Sequence, residues 1–91
     1  MIASLFVARR DYAGVAYGWA MEDSEGFCKV LADCRTRKLL GAHIIGHQAS
    51  ILIQPLVLGM RFGLTVDQIA RHVMYPHPAL SEVVENALLD L

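Results

Sequence analysis

The sequence predicts an α+β fold in which a four-stranded antiparallel sheet, with room for a fifth edge strand, packs against three helices. Three observations carry this prediction. Residues 2–46 divide into four apolar, partly alternating runs of strand length separated by polar or glycine-containing turns, whereas from residue 47 onward the apolar spacing is helical. Short turns between consecutive strands favour antiparallel pairing, because parallel neighbours need a crossover of a dozen or more residues. The chain has 91 residues, 55% of them hydrophobic and 19% charged, enough for one domain with a modest core.

The first strand is assigned to Ile2-Ala3-Ser4-Leu5-Phe6-Val7-Ala8, which starts abruptly after Met1, like the interior of a longer polypeptide. Arg9-Arg10-Asp11 then mark a solvated strand end. Val15 to Met21 is read as a second strand, with Tyr17 and Trp19 on one side at period two. The polar turn Glu22-Asp23-Ser24-Glu25-Gly26 leads to a third strand, Phe27 to Asp33, expected to form a hairpin with the second. After a turn at Thr36-Arg37-Lys38, Leu39 to Gly46 is the fourth strand, its glycines allowing close backbone approach. A helix is expected over His47 to Phe62, apolar on most sides and so buried on most sides, kinked at Pro55 and closed by Gly63. Thr65 and Gln68 form a T-x-x-Q capping box that starts a short helix through Ile69 and Ala70, ended by Met74-Tyr75-Pro76. In the last helix Leu80, Val83, Val84, Ala87, Leu88 and Leu91 recur at spacings of three and four, one amphipathic stripe.

Between the last two helices lies the stretch richest in chemistry, Pro76-His77-Pro78-Ala79-Leu80-Ser81-Glu82. A proline on each side stiffens the backbone around His77, which suits a group that must be aimed. Glu82, off the apolar stripe and at its beginning, is placed to accept the Nδ1 hydrogen of His77, leaving Nε2 free to exchange protons. From the residues alone a His-Pro before a helix is more usually a structural entry, in which Pro78 opens a helix and Glu82 suits its N-terminus.

A formal charge of −1 and scattered basic residues give no footprint for nucleic acid or an anionic membrane. The uncharged stretch from Leu39 to Met60 is long enough to span a bilayer, but it contains His43, His47, Gln48, Ser50, Gln54 and Pro55 and changes pattern midway, so a span is not expected. No leader precedes the first strand, so no export is expected. Cys28 and Cys34, with five residues between them, match neither a CxxC nor a zinc motif. On a strand their α-carbons would stand roughly 18 to 20 Å apart, beyond disulfide reach. A buried thiol and a turn thiol fit a reducing cytoplasm. His43 and His47 lack thiol or carboxylate companions, so no metal is expected, and His72 is assigned to a helix end. The apolar excess implies an exposed face covered by a second copy or a neighbouring domain.

His77-Pro78-Ala79-Leu80-Ser81-Glu82 resembles the C-terminal His-Pro-x-x-Ser-Glu signature of the pyridine nucleotide-disulfide oxidoreductases, flavoenzymes related to glutathione reductase and dihydrolipoamide dehydrogenase. Phe27 to Asp33, Leu39 to Gly46, Gln48-Ala49-Ser50 and Phe62-Gly63-Leu64-Thr65 are similar to earlier landmarks of the same family's dimerisation domain, in the same order. Within the family, Asp11 to Asp23, Gly46 to Ser50, Gln54-Pro55 and Pro78 to Leu88 are similar to the mycothione reductase subfamily. The resemblance implies that residues 1–91 are the C-terminal interface domain of a homodimeric flavoprotein. Upstream domains would carry FAD and NADPH, and a reactive dithiol there would reduce a small-molecule disulfide. His77 would reach the partner subunit's active site as the acid/base, Glu82 would orient it, and Pro78 would touch the cofactor.

This chain has no GxGxxG and no redox cysteine pair, so no cofactor is expected within it. It also departs from the family pattern at three positions. Tyr75 stands where a second histidine is common, Ala79 where a Thr or Ser often caps the helix, and Arg37 where the turn often has glycine. Two other readings stand beside this one: a free-standing interaction module in which the His-Pro segment is structural, and the same domain serving glutathione, dihydrolipoamide or a metal ion.

Overall fold

The structure, a computed structural model, describes residues 4–91. Its first strand, β1 (Leu5–Asp11), continues past Ala8 because Arg9, Arg10 and Asp11 pair with Lys29, Cys28 and Phe27. Ile2 and Ala3 of the expected strand lie outside the described residues. β2 (Phe27–Asp33) is central, with β1 antiparallel on one side and β3 (Leu39–Ile45) antiparallel on the other. Among the described residues the sheet therefore has three strands, not the four or five expected.

The missing strand is a helix. Tyr12–Gly14 form a 3-10 turn and Ala16–Ala20 a short helix, α1. In α1 the Trp19 N–H donates to the Val15 carbonyl at 2.9 Å and the Met21 N–H to the Tyr17 carbonyl at 3.1 Å. The cause is Tyr12, whose fully buried ring draws the chain inward. Its O–H donates to the His47 carbonyl at 2.9 Å and its N–H to the Gly26 carbonyl at 2.8 Å. Glycines line its bed: a Cβ at Gly26 would stand 2.5 Å from the ring, one at Gly46 2.8 Å from it, and one at Gly18 1.8 Å from the Tyr12 carbonyl oxygen. A helix turn can lay Gly18 on that carbonyl, whereas the period-two pattern would have hidden both aromatics. Instead Trp19 is 75% exposed. The edge of β2 that residues 15–21 were expected to occupy belongs to β1. The Asp23 carboxylate closes the following turn by accepting from the N–H groups of Glu25 and Gly26, which hold its pKa below the ordinary value.

One face of the sheet carries the core. Cys28, Val30 and Ala32 of β2 alternate inward at period two, joined by Ala8 of β1 and Leu39 of β3. The other face leaves Leu5, Val7 and Ile45 exposed, with the Arg9 guanidinium 3.9 Å from the centre of the Phe27 ring.

The helical half differs from expectation in continuity. Instead of one kinked helix there are two, α2 (Ala49–Leu52) and α3 (Gln54–Arg61), broken at Ile53. Pro55 lies in the first turn of α3, where its missing N–H has no intrahelical partner to lose. Leu52 and Leu56 are buried, but Ile51, Val57, Leu58, Met60 and Phe62 are exposed, so this pair is covered on one side only. Gly63, at φ +65°, closes α3 as expected.

α4 (Val66–Arg71) carries the predicted capping box: Thr65 Oγ1 accepts from the Gln68 N–H at 3.1 Å and Gln68 Oε1 from the Thr65 N–H at 2.9 Å. Such caps contribute about 1 kcal/mol. α5 (Glu82–Leu89) packs on α4, β1 and β2 through Val83, Val84, Ala87 and Leu88, the stripe read from the sequence. Among the described residues, five short α-helices thus replace the three expected. Arg37 adopts the left-handed conformation at φ +61°, so the β2–β3 turn keeps a glycine-like shape. Its Nε donates to Asp67 Oδ2 at 2.7 Å, and one Nη donates to Asp67 Oδ1 and to the Leu91 carbonyl, both at 3.2 Å. Among the described residues, no helix is long and apolar enough to cross a membrane.

Candidate acid/base site

Residues 73–78, between α4 and α5, form a strap. Among the described residues, 73–78 neither donate nor accept a backbone–backbone hydrogen bond, and Val73, Met74, Pro76, His77 and Pro78 are exposed. The strap re-enters regular structure through tight turns, Ala79 carbonyl to Glu82 N–H at 3.2 Å and Leu80 carbonyl to Val83 N–H at 3.0 Å. With alanine at position 79 and no side-chain cap from Ser81, α5 starts at Glu82. The His77–Pro78 peptide bond is cis.

His77 Nδ1 lies 2.5 Å from Glu82 Oε1. An ionised carboxylate can only accept, so Nδ1 carries the hydrogen and Nε2 is left with its lone pair. The contrast in accessibility matters as much as the distance. The His77 side chain is 71% exposed and the Glu82 side chain 12%. A packed carboxylate on the first turn of a helix thus holds an imidazole that projects into solvent, the orientation that proton exchange with an external group requires.

Tyr75 was not singled out from the sequence as part of this site. It is the one residue of the strap that is not exposed, and its O–H donates to the Ile69 carbonyl of α4 at 2.9 Å. Burial, and after it the nearby Glu85 carboxylate, raises its pKa above the ordinary tyrosine value. No residue-type signal could have announced this contact, because its acceptor is main chain.

The other candidates lie apart from the dyad. Cys28 is buried, its thiol pushed up to about 11 by burial, and Cys34 is partly exposed in the β2–β3 turn; both are free. His43 is exposed on β3 opposite Lys29, His47 sits at the β3–α2 junction, and His72 caps the C-terminus of α4. Among the described residues no group of three or more His, Cys, Asp or Glu side chains stands together as a metal site. Pro78 is exposed, and the two hollows beside the α1–β2 turn, about 440 and 430 Å³, are lined by residues such as Trp19, Asp23 and His47 and do not include it.

Comparison with known proteins fixes the context. Residues 3–88 match the family described as pyridine nucleotide-disulphide oxidoreductase, dimerisation domain. The chain belongs to this family. It is 58% identical over 82 residues to mycothione reductase of Mycobacterium tuberculosis, covering 90% of this chain and 18% of the relative. It is 48% identical over 67 residues to mitochondrial dihydrolipoyl dehydrogenase of Caenorhabditis elegans, covering 74% and 13%. Among solved structures, LpdA of M. tuberculosis superposes with a TM-score of 0.88 at 22% identity, over 96% of this chain and 19% of that one. The HOCl-induced flavoprotein disulfide reductase RclA of Escherichia coli gives 0.85 at 24%, over 96% and 20%. These last two confirm the α+β fold. The chain spans about a fifth of the length of the relatives it matches.

Proposed function

We propose that residues 1–91 are the C-terminal dimerisation domain of a homodimeric, FAD-dependent and NADPH-linked disulfide reductase of the mycothione reductase type, and that this domain supplies the acid/base for thiol–disulfide interchange. The observation that carries the reading is the dyad: an exposed imidazole whose Nδ1 is held at 2.5 Å by a packed carboxylate. Across the two-fold axis, His77 Nε2 takes the proton of the attacking thiol of the reactive dithiol and gives it to the thiolate that departs when the substrate's S–S bond is broken and the new S–S bond forms. Glu82 keeps the productive tautomer and Pro78 borders the cofactor. FAD, NADPH and the reactive dithiol belong to other domains of the parent chain. The exposed apolar residues of the open sheet face and of α2–α3 supply surface for those domains and for the second subunit. Two unpaired thiols suit a cytoplasmic location.

The test is His77→Ala in the intact parent enzyme. Disulfide reduction falls by about 10²- to 10⁴-fold, the usual contribution of a general acid/base, while flavin reduction by NADPH is unchanged. Equal loss of both half-reactions would overturn the role. Glu82→Ala gives a smaller loss, and unchanged kinetics would remove Glu82 from the mechanism. A second reading, favoured by the 48% identity to a dihydrolipoyl dehydrogenase, keeps the dyad and changes the substrate to dihydrolipoamide; comparing kcat/KM for mycothione and lipoamide in the parent enzyme separates the two.

A further inference from the structure

The His77–Glu82 pair accounts for one end of the strap, and the other end is held by Tyr75. Among the described residues, 73–78 have no backbone–backbone hydrogen bond, so the strap's position depends on side chains. Among the described residues only two of its side chains make hydrogen bonds: His77 to Glu82, and Tyr75 to the Ile69 carbonyl. That carbonyl is one of the last four of α4, which has no intrahelical partner because the helix stops at Arg71 before a Val73 N–H could serve it. The Tyr75 hydroxyl takes the place of the missing donor. Tyr75 therefore ties the strap to the end of α4, two residues before the imidazole.

We infer that Tyr75 is a positioning residue for the acid/base. It pins the strap to the α4 terminus so that His77 meets Glu82 in one geometry. This deepens the functional reading above and rests on it. A tyrosine suits the task because it stays a neutral donor throughout the pH range in which an imidazole titrates.

The experiment uses the intact parent enzyme with Tyr75→Phe, Glu82→Ala, the double variant and His77→Ala. Phenylalanine keeps the ring and removes only the hydroxyl. Tyr75→Phe is expected to lower kcat for disulfide reduction about three- to ten-fold, the scale of one moderate hydrogen bond. KM for the disulfide and the rate of flavin reduction by NADPH stay unchanged. Because Tyr75 acts through the dyad, adding Tyr75→Phe to Glu82→Ala is expected to cost less than two-fold further; independent sites would multiply their losses. Wild-type turnover for Tyr75→Phe overturns the inference. So does a full multiplicative loss in the double variant, which would mean that the hydroxyl supports the fold at large. If His77→Ala is slow and Tyr75→Phe is not, only the role of Tyr75 fails; if His77→Ala is itself undiminished, the acid/base reading fails and takes this inference with it.

Discussion

Replacing Gly18 with alanine should reverse the usual sign of a glycine-to-alanine change in a helix. Alanine is favoured over glycine inside a helix by about 1 kcal/mol, so α1 taken alone would gain stability. The structure puts the new methyl 1.8 Å from the Tyr12 carbonyl oxygen and 2.4 Å from its carbon, against an ordinary contact of 3.4 Å or more. Those are backbone atoms of a residue whose ring is fully buried and whose hydroxyl and amide are both bonded, so no flexible side chain can yield. Relief requires α1 to separate from the 3-10 turn by well over an ångström. Overpacking of this kind costs about 1–3 kcal/mol, here at the upper end because the neighbour is main chain. The net is roughly 2 kcal/mol of destabilisation, or on the order of 10 °C in Tm for a chain of this size. Thermal unfolding of the two purified proteins, followed by far-UV circular dichroism, measures it. A Tm equal to or above that of the unaltered protein would refute the packing argument and leave helix propensity in command.

Two further outcomes follow from the electrostatics. With its thiol pushed up to about 11 by burial, Cys28 exposes little thiolate at pH 8, so iodoacetamide should label the partly exposed Cys34 first and Cys28 only after unfolding; equal labelling of the folded protein, read by peptide mass spectrometry, would contradict this. The hydrogen bonds from Arg37 hold the Asp67 carboxyl below its ordinary value, so the folded state binds this proton less readily than the unfolded state does. The stability it contributes is present above the ordinary carboxylate range and is lost as pH falls through the lowered pKa. Asp67→Asn should therefore reduce the drop in Tm between pH 7 and pH 3, and an unchanged drop would show that the pair carries no acid sensitivity.

What could be read from the sequence was what is local. The α4 capping box needs only Thr65 and Gln68, and the α5 stripe only the spacing of its own apolar residues. The His77–Glu82 contact was legible for the same reason, since five residues and a helix turn define it. Residues 15–21 misled because their alternation is real but subordinate: Tyr12, held by Gly26 and the distant His47 carbonyl, decides what the backbone does there. Pro55 marked a discontinuity correctly, yet its effect was to begin a helix at α3 and not to bend one. Tyr75 escaped notice because a hydroxyl bonded to a carbonyl depends on where α4 stops.

Arg37 shows that a turn position can be filled in two inequivalent ways. Glycine would reach φ +61° without steric penalty, whereas an L-residue bears a penalty of about 1–2 kcal/mol there. In return the arginine fastens the hairpin tip to the acidic start of α4 and to the end of the chain beyond α5, a clasp no glycine could make. A glycine variant would relax the loop and lose the side-chain clasp while the main-chain bond from the Val66 N–H to the carbonyl of residue 37 stays, so easier local geometry would come with a weaker hold on Asp67 and Leu91.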